Sequence, residues 1–347
     1  MNPEKENELA KLIQKGVPLV ERPYRAIAAK MDLSELEVIE QIKVWRKAGY
    51  LREISAVMEG SVLGYDSALV CGSVPAERLN EVARIISAHP TVTHNYERVH
   101  HYNLWFTIAV PKSVGLEKHV RALEVVTGIS PFHILRRTHT FKIGVVFDIK
   151  NKTNETERVK LKSPGSGRIF NPGEIRIIRA LQRDLPAVSE PFKVLADELG
   201  IASEKLLEFA NRERGKALRR YVGTFRHRKL GVTANGMTVW NVPENQLEEK
   251  GFMLAGFSGV SHCYARNTAP GFPYSLYAML HGPDSQYLRR TADEISQKLG
   301  CSDYLILESP TEFKKCRLRY FLPELDDWWR AHSGFVEESA GGVAPGI

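Results

Sequence analysis

Cysteine is scarce in this chain and widely spaced. The four residues, Cys71, Cys263, Cys301 and Cys316, form no CxxC pair, so neither a zinc ribbon nor a disulfide framework is indicated. No apolar run approaches the roughly 20 residues that span a bilayer. The stretch Met1-Asn2-Pro3-Glu4-Lys5-Glu6 has no signal-peptide character. The expected setting is therefore the cytoplasm, with no membrane partner. A phosphate-cradling glycine loop is also missing, and nucleophilic catalysis has no support. What the chain has in excess is positive charge. A net +7 over 347 residues points to an anionic partner, which composition alone leaves open as nucleic acid or a small polycarboxylate or phosphate.

At this length two or more domains are expected, and the order of patterns repeats. Residues 1–58 predict a helix-turn-helix-like unit. Pro23 opens its second helix, and Ser34-Glu35-Leu36-Glu37 gives a capping-box start to a third with Val38, Ile42 and Trp45 on its apolar face. Residues 62–149 change period and predict β-α-β-β-α-β, a ferredoxin-like split unit. Residues 150–168 are polar and predict a linker. The two patterns then return over 169–225 and 230–330, with a flexible tail over 331–347. His262, Tyr264 and Arg266 follow His94, Tyr96 and Arg98 at a constant spacing of 168. A tandem duplication covers nearly the whole chain. The expected fold class is α+β, a tandem repeat of winged helix-turn-helix plus ferredoxin-like domain forming an intramolecular pseudo-dimer. Free sheet faces would allow self-association into a homo-oligomer.

The most unusual stretch is Val92-Thr93-His94-Asn95-Tyr96-Glu97-Arg98, closed by His100-His101-Tyr102-Asn103-Leu104-Trp105. In a strand, His94, Tyr96 and Arg98 share one face, as do His262, Tyr264 and Arg266 in the second copy. An imidazole, a phenol and a guanidinium in a row supply a proton donor near neutral pH, a hydrogen-bond donor and a carboxylate clamp. No carboxylate or cysteine joins the histidines on that face, so a metal site is not indicated. A second concentration of charge lies at Arg219-Arg220 and Arg226-His227-Arg228, followed by Asn235, Met237 and Trp240. Cations, a titratable ring and aromatic faces suit a planar, anionic ligand.

The domain order resembles the Lrp/AsnC transcription regulators, which leaves a DNA reader open. The start of the candidate recognition helix, however, carries Glu35, Glu37 and Glu40, where phosphates repel negative charge. Nucleic acid is therefore an unlikely partner.

Several motifs go further. VTHNYER followed by YNLWFTIAV, ALRRYVGTFRHRKLGVTANGMTVWNVP, and VSHCYAR followed by FPYSLYAMLHG resemble the signatures of siroheme decarboxylases, Lrp/AsnC-like enzymes of alternative heme and heme d1 synthesis. The chain is similar to a fusion of the family's two subunits. The resemblance implies removal of carboxyl groups from the C12 and C18 acetates of siroheme, without an oxidant, giving 12,18-didecarboxysiroheme. It implies siroheme as substrate and no required cofactor, with a regulator or a non-catalytic heme sensor as alternatives. His94 and His262 are the leading general acids, supported by Tyr96, Tyr264 and His227. Substrate contacts are expected from Arg98, His101, Asn103, Trp105, Arg219, Arg220, Arg226, Arg228, Asn235, Met237, Arg266 and Tyr274. The siroheme iron could take His94, His227 or His262 as ligand. The first half lacks the basic cluster, so the main site is expected in the second half.

Overall fold

The computed structural model describes residues 1–147, 154–158, 167–225, 234–257 and 259–334. Its N-terminal helices are α1 (Pro3–Lys15), α2 (Pro23–Ala28) and α3 (Glu35–Lys47), followed by strand β1 (Leu51–Met58). Capping sets two of these starts. The Asn2 side chain accepts from the Lys5 N–H, and Ser34 and Glu37 form the reciprocal capping box expected from their spacing. The second copy has α6 (Pro172–Leu181), α7 (Pro191–Leu199), α8 (Ser203–Glu213) and β7 (Leu218–Phe225).

These two units do not stand apart. β1 and β7 pair antiparallel in a two-stranded sheet, so each unit's expected wing is the other's partner. One core runs through both, from Leu9, Ile13, Tyr24, Ile42 and Trp45 to Leu181, Phe192, Leu206 and Phe209. Gly223 permits the contact, because a Cβ there would sit 2.3 Å from Ile13 Cγ2.

The first ferredoxin-like unit comprises β2 (Tyr65–Gly72), α4 (Leu79–Ala88), β3 (His94–Glu97), β4 (Leu104–Pro111), α5 (Leu116–Thr127) and β5 (His133–Phe147). The second comprises β8 (Ala234–Trp240), α9 (Leu247–Ala255), β9 (Val260–Arg266), β10 (Leu276–Gly282), α10 (Ser285–Leu299) and β11 (Tyr304–Leu307). Strand order is β5-β2-β4-β3 in one and β11-β8-β10-β9 in the other, the same permutation twice. Each sheet packs one face on its own helices, giving two separate cores. The opposite faces meet each other in a fourth core of Leu69, Cys71, Trp105 and Leu135 against Met237, Val239, Tyr277 and Leu307. The faces expected to be free for a homo-oligomer are thus covered within one chain.

The halves also exchange strands. β5 pairs with β2 through His133–Arg136 and then with β9 through Arg137–Lys142. After β11 the chain forms β12 (Glu312–Lys315), which pairs with β3. Phe141 enters the second half's helix-side core while Phe313 packs on the first half's. The lysines that follow do likewise: Lys142 Nζ donates to the Phe257 carbonyl at 2.8 Å, and Lys314 Nζ donates to Ser87 at 2.6 Å. Backbone bonds from Glu97 and Val99 to Thr311 and Glu308 carry the edge onward. The sheet therefore nearly closes on itself, which hides the edges that a split unit leaves open.

Two expectations change here. Residues 154–158, expected in the linker, form β6 (Asn154–Arg158) on β5. A polar segment can do this because the edge of β5 beyond Lys142 offers backbone groups that need partners, whatever the side chains. Residues 308–330, expected to close the second domain, cross to the first half's sheet and to the core that the two helix-turn-helix units share. After β12, Tyr320, Phe321 and Leu325 pack on the helix-turn-helix core, and α11 (Pro323–His332) lays Trp328 against the core of β2–β5. His332, expected in the tail, ends that helix, and 335–347 lie outside the described residues.

Candidate active site

Asn95 is buried toward α4, where its Nδ2 donates to the Ala83 carbonyl and to Ser87 Oγ at 3.0 Å each. Alternation then sends His94 and Tyr96 to the opposite face, into the space between the two sheets. The second copy repeats the geometry. The ring of His94 lies 6.2 Å from Tyr96, and that of His262 lies 6.2 Å from Tyr264. Each histidine has a hydroxyl on Nδ1: Thr93 Oγ1 at 3.0 Å for His94 and Ser261 Oγ at 3.0 Å for His262. Among the described residues neither Nε2 has a hydrogen-bond partner.

His94 opens on a cleft of about 220 Å³ lined by Ser67, Thr93, Thr107, Arg137, Arg266 and Leu318. That is below the roughly 300 Å³ at which pockets for drug-sized ligands begin, so the described walls alone are too small to enclose a ligand of that size. Arg137 and Arg266 are direct cross-strand partners in the β5–β9 register. Like charges placed opposite one another destabilise a sheet unless an anion lies between them. No carboxylate pairs with either among the described residues. Both guanidinium groups instead lie over the Tyr264 ring, at 5.7 and 5.5 Å.

Burial pushes His94 down to about 4, assisted by Lys315 and Arg52 and opposed by Glu312. Burial likewise pushes His262 down to about 4, with His281, His94, Arg219 and Lys142 adding to it. The two halves therefore converge: His94 and His262 feel each other, and cations from β1, β5, β7 and β12 surround them. In the substrate-free chain both rings are neutral at pH 7, not the imidazolium donors expected from an unperturbed histidine.

This has a consequence for stability. A histidine whose folded value lies below its unfolded value near 6.5 binds its proton more readily in the unfolded chain. Its contribution is complete above about pH 6.5 and is lost as pH falls toward 4. Urea midpoints are expected to drop between pH 7 and pH 4.5, and less steeply in a His94→Gln/His262→Gln variant. Identical slopes for the two proteins would contradict the burial argument.

Not every residue expected at the site faces it. Arg98 and Arg266 form a symmetric pair of struts, with Arg98 Nη1 donating to the Leu307 carbonyl at 2.9 Å and Arg266 Nη1 to Leu135 at 3.0 Å. Arg98 is buried and does not line the cleft, so it ties the halves together and is not placed as a clamp. Asn103 is consumed by a two-way bridge to the Val74 backbone, 2.8 Å in both directions. Trp105 and Met237 fill the inter-sheet core. His101 is exposed beside Tyr102, and Tyr274 donates to Asp303 at 3.1 Å. Their polar alternation resembles a ligand face, but their partners are the chain itself. Arg219, at a bulge of β7, does reach His262 electrostatically, whereas Arg220 is registered against Val57. Arg226, His227 and Arg228 lie outside the described residues, as does the side chain of Asn235.

Sequence reasoning missed Arg137, Arg52, Lys315 and His281. The second copy of the duplication held one usable sign, since His281 stands two residues beyond the partner of His262, where the first half has Ala109. A larger groove of about 330 Å³ on the second helix-turn-helix unit is lined by Glu174, Glu208, Arg176, Lys205 and Arg212. Two carboxylates offset most of its positive charge, and its lining holds no histidine.

Comparison with known proteins agrees with this architecture. The model of an AsnC-like ligand binding domain matches residues 62–142 and 229–314. That of a siroheme decarboxylase NirDL-like HTH domain matches 6–52 and 174–218. The siroheme decarboxylase of Hydrogenobacter thermophilus is 38% identical over 330 residues, 93% of this chain and 97% of that protein. A siroheme decarboxylase beta subunit from Methanosarcina barkeri is 36% identical over 147 residues, 42% of this chain and 97% of its own length. The crystal structure of the siroheme decarboxylase NirDL in complex with an iron-uroporphyrin III analogue superposes with a TM-score of 0.77 at 33% identity, covering 97% of this chain and 99% of that one.

Proposed function

Because this chain belongs to the siroheme decarboxylase family, we propose that it is a carboxy-lyase that removes the C12 and C18 acetate carboxyl groups of siroheme without oxidation. The observation that carries this reading is the pair of histidines, each held at Nδ1 by a hydroxyl and without an Nε2 partner among the described residues, with Arg137 and Arg266 lining the cleft of His94 and Arg219 acting on His262.

Siroheme is flat and rich in carboxylates. Arg137 and Arg266 relieve their mutual repulsion by sharing one of these, and charge-assisted bonds fix the pigment's edge. Breaking the C–C bond to an acetate carboxyl releases carbon dioxide and leaves an electron pair on the methylene carbon, delocalised into the macrocycle. One proton then converts that carbon to a methyl group. Each acetate thus consumes one proton and needs no cofactor to accept electrons.

The proton donors are His94 and His262. A neutral imidazole presenting Nε2–H gives that proton to the strongly basic methylene carbon while Nδ1 takes another, which leaves the ring neutral. Tyr96 and Tyr264 stack beside the two rings and hold their tilt. A neutral imidazole with a bare Nε2 also meets the requirement for an axial ligand of the siroheme iron.

Anaerobic incubation with siroheme, followed by mass spectrometry of the pigment, tests this directly. The expected product is lighter by two carbon dioxides. Unchanged siroheme with a bound-pigment spectrum would identify a sensor, and salt-sensitive binding of duplex DNA in its place would identify a regulator.

A further inference from the structure

The two histidines are matched in the hydroxyl that meets Nδ1 but not in what lies behind that hydroxyl. In the first half, Thr93 Oγ1 contacts His94 Nδ1 and, at 2.9 Å, the hydroxyl of Thr107, where among the described residues the chain of polar groups meets no further titratable side chain. In the second half, Ser261 Oγ lies 3.0 Å from His262 Nδ1 and 2.6 Å from His281 Nε2. Ser261 is fully buried, and its weaker contact with the Met279 carbonyl, 3.4 Å, leaves the hydroxyl oriented by the two imidazoles. The register gives this difference its origin. His94 faces Thr107 and His262 faces Met279, and two residues farther along these strands stand Ala109 and His281.

We propose that His281, acting through Ser261, is a positioning and proton-relay residue for His262, and that the first half has no counterpart. The proposal rests on the decarboxylase reading and adds a residue and an asymmetry to it. A serine hydroxyl holds one hydrogen, so the three groups can adopt only two ordered arrangements. With His281 Nε2–H donating to Ser261 and Ser261 donating to His262 Nδ1, the proton of His262 is forced onto Nε2, the nitrogen turned away from Ser261. That is the tautomer a general acid needs.

The protons balance along the chain. When carbon dioxide leaves, the electron pair on the methylene carbon takes the Nε2 proton of His262. Nδ1 then takes the proton of Ser261, Ser261 takes that of His281 Nε2, and His281 Nδ1 takes one from water, leaving hydroxide in the solvent as the one proton the reaction consumes. The three side chains stay neutral. After product departs, water returns a proton to His262 Nε2 and the chain shifts back, releasing the proton of His281 Nδ1. Among the described residues the charged and titratable groups facing His281 are His262 across Ser261 and Lys315 from β12, with His94, Arg219 and Lys142 acting on His262. Burial, with Lys315 adding to it, discourages a second proton on His281, which keeps the relay neutral.

The test compares His281→Ala, the near-isosteric His281→Gln and Ser261→Ala with the unaltered chain in anaerobic siroheme turnover. Loss of an outer partner of this kind typically costs about 10–100-fold. We expect kcat to fall by that amount in each variant with KM within about twofold, and the double His281→Ala/Ser261→Ala variant to be no worse than either single one. Added imidazole should restore part of the His281→Ala rate and none of the Ser261→Ala rate, a rescue that a packing defect does not show. Unchanged kcat in His281→Ala, or a loss confined to KM, overturns the relay while the unaltered chain's turnover leaves the decarboxylase reading standing. If the unaltered chain leaves siroheme intact, both fall.

Discussion

Alanine at position 262 is expected to lower siroheme turnover about 10²–10⁴-fold while the pigment remains bound. His262 is held at Nδ1 by Ser261 on the strand that carries Arg266, one of the cleft-lining arginines. His94→Ala should act in the same direction, because its ring has the same hydroxyl support and the same bare Nε2. The effect should fall on kcat. Neither ring anchors a carboxylate in the unliganded structure, so a large rise in KM with kcat preserved would mean that these histidines bind and do not protonate.

Arg137→Met is the second large effect. Arg137 stands opposite Arg266 on neighbouring strands and has no carboxylate partner among the described residues. A charge-assisted hydrogen bond contributes about 1.5–3 kcal/mol, so siroheme affinity should weaken about 10–100-fold. The same change relieves a like-charge pair, so the unliganded protein should be as stable as before or slightly more so. This opposition of signs separates a binding residue from a structural one, and equilibrium pigment titration beside urea unfolding measures both. Affinity that is unchanged, or lost together with stability, would contradict the assignment.

Local chemistry made much of this legible in the sequence. The Ser34–Glu37 capping box, the proline-started helices and the alternation of His94, Asn95 and Tyr96 are all properties of a few adjacent residues, and the duplication carried each of them to a second place. What adjacent residues do not encode is pairing at a distance. That β5 leaves its own sheet at Arg137 to join β9, and that β12 returns to β3, depends on contacts more than 100 positions apart. Arg137 was invisible for this reason, since its partner Arg266 is identified only by register. Arg98 misled for the same reason: a guanidinium on a ligand-facing strand looks like a clamp until the Leu307 carbonyl of the other half takes its proton. His281 lay within reach of a careful comparison of the two copies, because Ala109 stands in its place.

The central claim is that the histidines of the two halves, brought together between the sheets, protonate the decarboxylated carbons of siroheme. The most direct measurement is anaerobic incubation of the His94→Ala/His262→Ala variant with siroheme, reading pigment binding from the absorption spectrum and product from its mass. The account predicts siroheme bound and unchanged in mass where the unaltered chain yields a pigment lighter by two carbon dioxides. Didecarboxylated product formed by the double variant at the unaltered rate would contradict it.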